Sequence, residues 1–182
     1  MHHVHHYGPG VSIASLILRF ALGIPMLAHG YRHMFGGGKL AGTGRWFESL
    51  GMKPGWLHAR FATFTELAVA PMLFLGLLTP LAAAGVIGVM LVALITNHLK
   101  NGYFIFNPGE GYEYVLFITM TAFALGAIGG GRISLDHAIG WHLHGFLEGR
   151  RGFLVTLLGV LGAIALLVVF WRPEKKAVEA GE

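Results

Sequence analysis

The chain has no cysteine among its 182 residues, which excludes disulfides, thiolate metal centres and cysteine nucleophiles. Charge is scarce as well: Asp, Glu, Lys and Arg together make up 12% of the sequence, about half of what a soluble globular domain carries. Several chemical motifs are also missing. The loop sequence GGGKLAGTG lacks the Gly-Lys-Ser/Thr ending and the preceding strand of a phosphate-binding loop, so nucleotide binding is rejected. No Glu-x-x-His pair occurs, as a di-iron bundle would want. No nucleic-acid motif accompanies the net charge of +4, which suits anionic headgroups better. The inverted repeats common in transporters are absent too.

Apolar residues fill the space left, at 54%. They gather in five segments: Val11–Phe35, Ala59–Leu78, Leu81–Leu99, Tyr112–Gly129 and Phe153–Trp171. Each is near the roughly 20 residues that cross a bilayer as a helix, so the expected class is an all-α integral membrane protein. Segment I is no signal peptide, being too long and holding Arg19 mid-span. Leu78-Thr79-Pro80-Leu81 predicts a tight hairpin between segments II and III. Gly85–Gly88 and Gly159–Gly162 are three apart, so neither forms a GxxxG motif. Segment V with the tail WRPEKKAVEAGE reads as an appended anchor with a charged end.

Five spans put the termini on opposite faces. Side A holds the N-terminus, the II–III turn and the IV–V loop, with Arg132, Arg150 and Arg151. Side B holds the other loops and the C-terminus, with nine cations against three. The positive-inside rule therefore expects the N-terminus out and the C-terminus in the cytoplasm.

Polar residues inside apolar spans are costly and mark sites or ties between helices. His29 lies roughly 9 Å and Glu66 roughly 10 Å from the side B surface at 1.5 Å per residue. His98 ends segment III and Glu113 begins segment IV on that same side. His33 follows one turn after His29, and a carboxylate as deep as Glu66 needs a partner. Arg19, roughly 12 Å from side A, is expected to tie the bundle together, reaching toward Glu66 or Asp136. Loop I–II is expected to hold a short helix capped by Thr43 and stopped at Gly51, with Trp46, Phe47 and Trp56 at headgroup depth. Loop III–IV adds Tyr103, Tyr112 and Tyr114. The candidate ligand pocket, for quinone or lipid, is therefore His29, His33, Glu66, His98, Glu113, Trp46 and Tyr103. Haem ligation by His29 and His98 is explained equally well as polar lining, so no metal is assigned.

The remaining stretches are less informative. The start, MHHVHHYGPG, reads as a solvated His-rich tail. On side A, Ile133, Leu135, Ile139, Leu143 and Phe146 outline an apolar face suited to lying on the membrane. His137, His142 and His144 share no helical register, so the sequence gives little support for a metal site there.

LRFALGIPMLAHGYRHM, then GTGRWFESLG, a glutamate in the second span, NHLKNGYF, GYEYV and GGGRISLD occur in order from about Ser15 to Asp136. As a set they resemble the DoxX family of small bacterial membrane proteins. The resemblance implies a four-helix transmembrane bundle over residues 11–136. Around it lie a tail at 1–10, an interfacial stretch at 137–152, and an added fifth transmembrane helix with tail at 153–182. It also implies a bacterial inner-membrane setting and a link to quinone or respiratory redox chemistry. With no electron carrier of its own, the chain is expected to be an accessory subunit among other membrane subunits and lipids, with no intrinsic cofactor and quinone as the ligand to test. Stand-alone quinone-linked catalysis is the alternative, and small-molecule transport a weaker one.

Overall fold

A computed structural model describes residues 8–140 and 149–173 of the chain. The N-terminal histidines, His142, His144, Leu143, Phe146 and the charged tail lie outside those residues. All the regular elements described are helices: α1 Pro9–Phe35, α2 Lys39–Ser49, α3 Gly55–Leu75, α4 Thr79–Ala93, α5 Glu113–Ile128, α6 Leu135–Ala138 and α7 Gly149–Phe170. Helix α4 runs on through a π-helical turn, Leu94–His98, and a 3-10 turn, Leu99–Asn101. The all-α membrane architecture expected from composition is present.

Helices begin and end where local chemistry directs. Pro9 and Pro80 open α1 and α4 at positions where a missing N–H costs nothing. Gly76, at φ +64°, turns the chain out of α3. Helix α2 starts earlier than expected, at Lys39, because Gly38 at φ +58° already turns the chain into it. Thr43 is therefore no cap; its hydroxyl donates within the helix to the Lys39 carbonyl.

Three helices are long and apolar enough to cross a membrane alone: Pro9–Phe35, Thr79–Asn101 and Gly149–Phe170. Helix α3 falls short because His58, Arg60 and Glu66 dilute it, and the 16-residue α5 is shorter than the rest. Both pack on α4 and still expose apolar side chains, Phe61 and Phe64 on α3 and Phe117 and Met120 on α5. Helix α4 is its axis, with Ala82, Ala83, Val86 and Ile87 fully buried, which fits a helix apolar on every side. Helix α1 approaches α3 closely at two glycines. A Cβ on Gly23 would meet the Phe74 ring, and one on Gly30 would meet Leu67 at 2.8 Å and Glu66 Cβ at 3.2 Å.

At side A two opposite charges hold the α3–α4 hairpin. Arg19 is fully buried, and its guanidinium donates to the carbonyls of Leu73, Phe74 and Ile133. Two of those carbonyls belong to the end of α3, where helix carbonyls lack internal partners and the dipole is negative. Asp136 does the converse. Its carboxylate accepts from Leu78 N at 2.6 Å, from Thr79 N at 2.9 Å and from the Thr79 hydroxyl at 2.9 Å, at the positive start of α4. Of the two partners open to Arg19 in sequence, it reaches the Asp136 side, away from Glu66. Next to α6, Ile133, Leu135 and Ile139 are exposed.

Helix α7 is no appended anchor. Gly152, Thr156, Gly159 and Ala163 form one buried stripe at three-to-four-residue spacing, set against α4 and α5. Its far end is strapped to the α2–α3 connection: Met52 and Trp171 form an antiparallel bridge, Arg172 N donates to Gly51 O at 2.7 Å, and Trp171 Nε1 donates to Leu50 O at 3.0 Å. Gly51 sits at φ +85°, and a Cβ there would come within 2.8 Å of Arg172 O, so the strap requires glycine.

Replacing Asp136 by Ala removes the acceptor of three hydrogen bonds and leaves Arg19 beside no counter-charge. Loss of one partner from a buried charged network costs about 3–5 kcal/mol. Denaturant titration of the detergent-solubilised chain should show unfolding at markedly lower denaturant for Asp136→Ala; an unchanged midpoint would remove Asp136 from the structural account.

Candidate functional site

The helices line a partly open cavity of about 770 Å³, within the size range of small-molecule sites. It follows α4 from Leu81 to His98, roughly 25 Å at 1.5 Å per residue. Its two ends differ. Toward side A the walls are Leu81, Ala84, Gly85, Gly88, Leu158, Gly159 and Gly162, with no ionisable group. Toward side B it is lined by His29, His33, His58, Glu66, His98 and Glu110, with Trp46, Phe47 and Met52 beside them.

Helix α1 supplies His29 and His33, one turn apart on the same face. Their rings meet edge-on at 6.2 Å. Helix α3 supplies Glu66, only 2% exposed, and the close approach at Gly30 brings it to α1. His33 Nδ1 lies 2.9 Å from Glu66 Oε2, yet neither atom makes a hydrogen bond. The distance fits a hydrogen bond, but the ring N–H is not aimed at the oxygen. His29 exposes its ring, and the ligating atoms of His29, His33 and Glu66 all lie within 4.8 Å of one another.

His98 plays a different part from the one expected. Its Nδ1 lies 2.9 Å from the Glu110 carbonyl and its Nε2 lies 3.3 Å from Asn97 Nδ2. A carbonyl only accepts, so Nδ1 donates to it and Nε2 accepts from the Asn97 amide. Both ring nitrogens are thus engaged, and His98 walls the cavity without a spare donor. The π-helical turn that ends in His98 also carries Thr96 to the lining, a distortion of the kind found at functional sites.

Two expected pocket residues are not part of the lining. Glu113 is a loop staple whose carboxylate accepts from Ile105 N at 3.2 Å. Tyr103 stacks edge-on with Tyr112 and Phe104, and is 45% exposed. The loop that carries them folds back by bonds from Tyr112 N to Gly102 O and from Glu113 N to Tyr103 O, which turns both side chains away. Sequence depth placed them on the correct face but could not resolve that turn. His29, His33, Glu66, His98 and Trp46 do line the cavity.

His58 was missed. It is 3% exposed, pressed between Phe47 and Phe170, with Nε2 unbonded. It ends the loop just before the second apolar segment, where nothing in the sequence marked it; the packing of Phe47 of α2 and Phe170 of α7 encloses it. Helix α7 was also missed as a wall of the cavity.

The fold and cavity define an all-α integral membrane protein with a polar-headed, lipid-length pocket inside a helix bundle. The chain carries a DoxX domain: the DoxX family model matches residues 14–99. That covers α1 from Ala14 onward, α2 to α4 and all three residues of the His29, His33 and Glu66 cluster, and stops short of the Asp136 limit of the resemblance. No curated protein and no solved structure matches the chain.

Two glycines of the wall behave oppositely. A Cβ on Gly159 would overlap the Ala84 carbonyl oxygen, whereas one on Gly162 meets nothing within 4 Å. Gly159→Ala should prise α7 from α4 and lower the unfolding midpoint. Gly162→Ala should raise stability by about 0.5–1 kcal/mol through helix propensity. Equal effects of the two changes in a denaturant titration would contradict this packing.

Proposed function

We propose that this DoxX-domain protein is a membrane subunit that holds an isoprenoid quinone in the α1–α3–α4–α7 cavity and serves a partner redox protein. The observation that carries this reading is the division of the cavity. A quinone has a ring with two carbonyls on a long apolar tail. The side B end offers ionisable donors and aromatic walls for the ring, and the side A end offers an apolar channel for the tail.

Within this reading, the residues take distinct roles. His29 and His33 donate to a quinone carbonyl, Glu66 exchanges protons with them, and Trp46 covers the ring. His98 and Thr96 shape the wall. The chain has no cysteine and no nucleotide fingerprint, so electrons would pass to or from another subunit, which makes an accessory role the better reading than stand-alone catalysis. In this reading the polar end faces the cytoplasm in a bacterial inner membrane, an orientation that the excess of Lys and Arg on side B supports.

The test uses the full chain in lipid nanodiscs, titrated with a long-tailed quinone while tryptophan fluorescence is recorded. The wild type should quench saturably. Glu66→Gln should weaken binding about tenfold, the equivalent of one hydrogen bond to a charged group. Gly162→Phe, which fills open cavity space without a backbone clash, should abolish it. Absence of saturable quenching in the wild type, or wild-type affinity in Gly162→Phe, would overturn the proposal.

A further inference from the structure

We infer that His29, His33 and Glu66 form a binding site for a divalent first-row transition metal ion, with its open coordination positions facing the cavity. The inference stands on the three ligand groups and does not depend on quinone as the cavity's occupant.

The donor set has the right chemistry. Two imidazoles and one carboxylate suit iron(II), zinc and their neighbours, and a site with these three ligands and open positions is a recurring arrangement for such ions. The spacing of the histidines, four residues apart on one helix, turns both rings to the same side. The carboxylate comes from the facing helix, and all three ligating atoms lie within 4.8 Å of one another.

The contact between His33 and Glu66 carries the argument. Nδ1 and Oε2 are 2.9 Å apart, buried, and without a hydrogen bond. Two buried polar atoms at that distance would normally satisfy each other, and leaving them unsatisfied is costly. A shared cation explains both the distance and the misdirection. Two metal–ligand bonds of about 2.1 Å meeting at a right angle span about 3 Å between ligand atoms. In that arrangement each donor points at the ion, beside the line that joins the two atoms. A direct hydrogen bond would require Nδ1 to point along that line. His29 is exposed on the cavity side and completes the set by turning about its own side-chain torsions, which costs little at an exposed position.

The surroundings also fit. At this level Gly30 lets α1 lie directly against the Leu67 and Glu66 side chains of α3, where a Cβ would find no space. The site is therefore held by backbone packing, as a metal site requires if its ligands are to be preorganised. Among the described residues no other group of three such ligands comes together.

The test must separate this site from the N-terminal histidines. The full chain with His2, His3, His5 and His6 changed to Ala is stripped with chelator, reloaded with cobalt(II) or zinc in mild detergent, and dialysed. Metal analysis should then give one ion per chain, and cobalt should show visible d–d absorption bands. His33→Ala and Glu66→Gln in that background should each reduce retained metal at least tenfold. His29→Ala, at an exposed position that does not support the fold, should weaken binding and alter the cobalt spectrum while circular dichroism stays unchanged. Failure of the tail-substituted chain to retain metal would overturn the inference, as would retention at wild-type level by both His29→Ala and Glu66→Gln. Quinone quenching measured on the same samples distinguishes this failure from failure of the quinone reading.

Discussion

The structure depends on satisfying one buried cation. An arginine within an apolar bundle needs partners for its donors inside the protein, and the two terminal guanidinium nitrogens of Arg19 find them on the carbonyls of Leu73 and Phe74 at the end of α3 and on Ile133, while its Nε makes no hydrogen bond. The Leu73 and Phe74 carbonyls lie in the last turn of α3, at the negative end of the helix dipole. The same need, in reverse, is answered at the start of α4, whose free N–H groups donate to Asp136. One charge of each sign therefore closes each half of a hairpin that has almost no loop. Because Arg19 belongs to α1 and Asp136 to α6, the hairpin is also fixed to elements before and after it in the chain. Gly76 sits beneath the guanidinium, and any side chain there would collide with it.

That latch sets the register in which α1 crosses α3, and the register determines the site. With Arg19 held at side A, Gly23 meets Phe74 and Gly30 meets Leu67 and Glu66 as the two helices run toward side B. One further turn along α1 sets His33 against Glu66. The stabilising charges and the candidate site thus occupy opposite ends of the same helix pair. Helix α7 contributes differently. Its small residues let its backbone lie against α4, and at Gly162, where no neighbour fills the space, the cavity opens. The strap from Trp171 and Arg172 to the backbone carbonyls of Leu50 and Gly51 keeps that wall in place and presses Phe170 onto His58.

Much of this was legible in the sequence, because a bilayer enforces simple rules. Apolar length gave the helices, and a charge inside a span had to be paired, so Arg19 and Glu66 stood out before any contact was visible, with Asp136 as one of two partners open to Arg19. Depth along each helix placed His29, His33, Glu66 and His98 at one level. Depth says nothing about rotation or about loop paths, and the errors came from there. Glu113 and Tyr103 lie at the right level but face a loop that folds back on itself. Helix α7 looked like an anchor because its exposed Leu, Ile and Val residues dominate its composition. The stripe of Gly, Thr and Ala that docks it is legible only once α4 is known to offer Ala84 and Gly88 opposite. His29 and His33 were each weighed as pocket lining, and their shared face gained meaning only when Glu66 came within contact.

The account's central claim is that a polar-headed, apolar-tailed ligand occupies the bundle interior. Native mass spectrometry of the wild-type chain, released from mild detergent directly after extraction from its membrane, tests it most directly. The account predicts a bound mass equal to an isoprenoid quinone, retained at collision energies that strip annular phospholipid. A spectrum holding only the bare chain, or only phospholipid adducts lost at low energy, would contradict it.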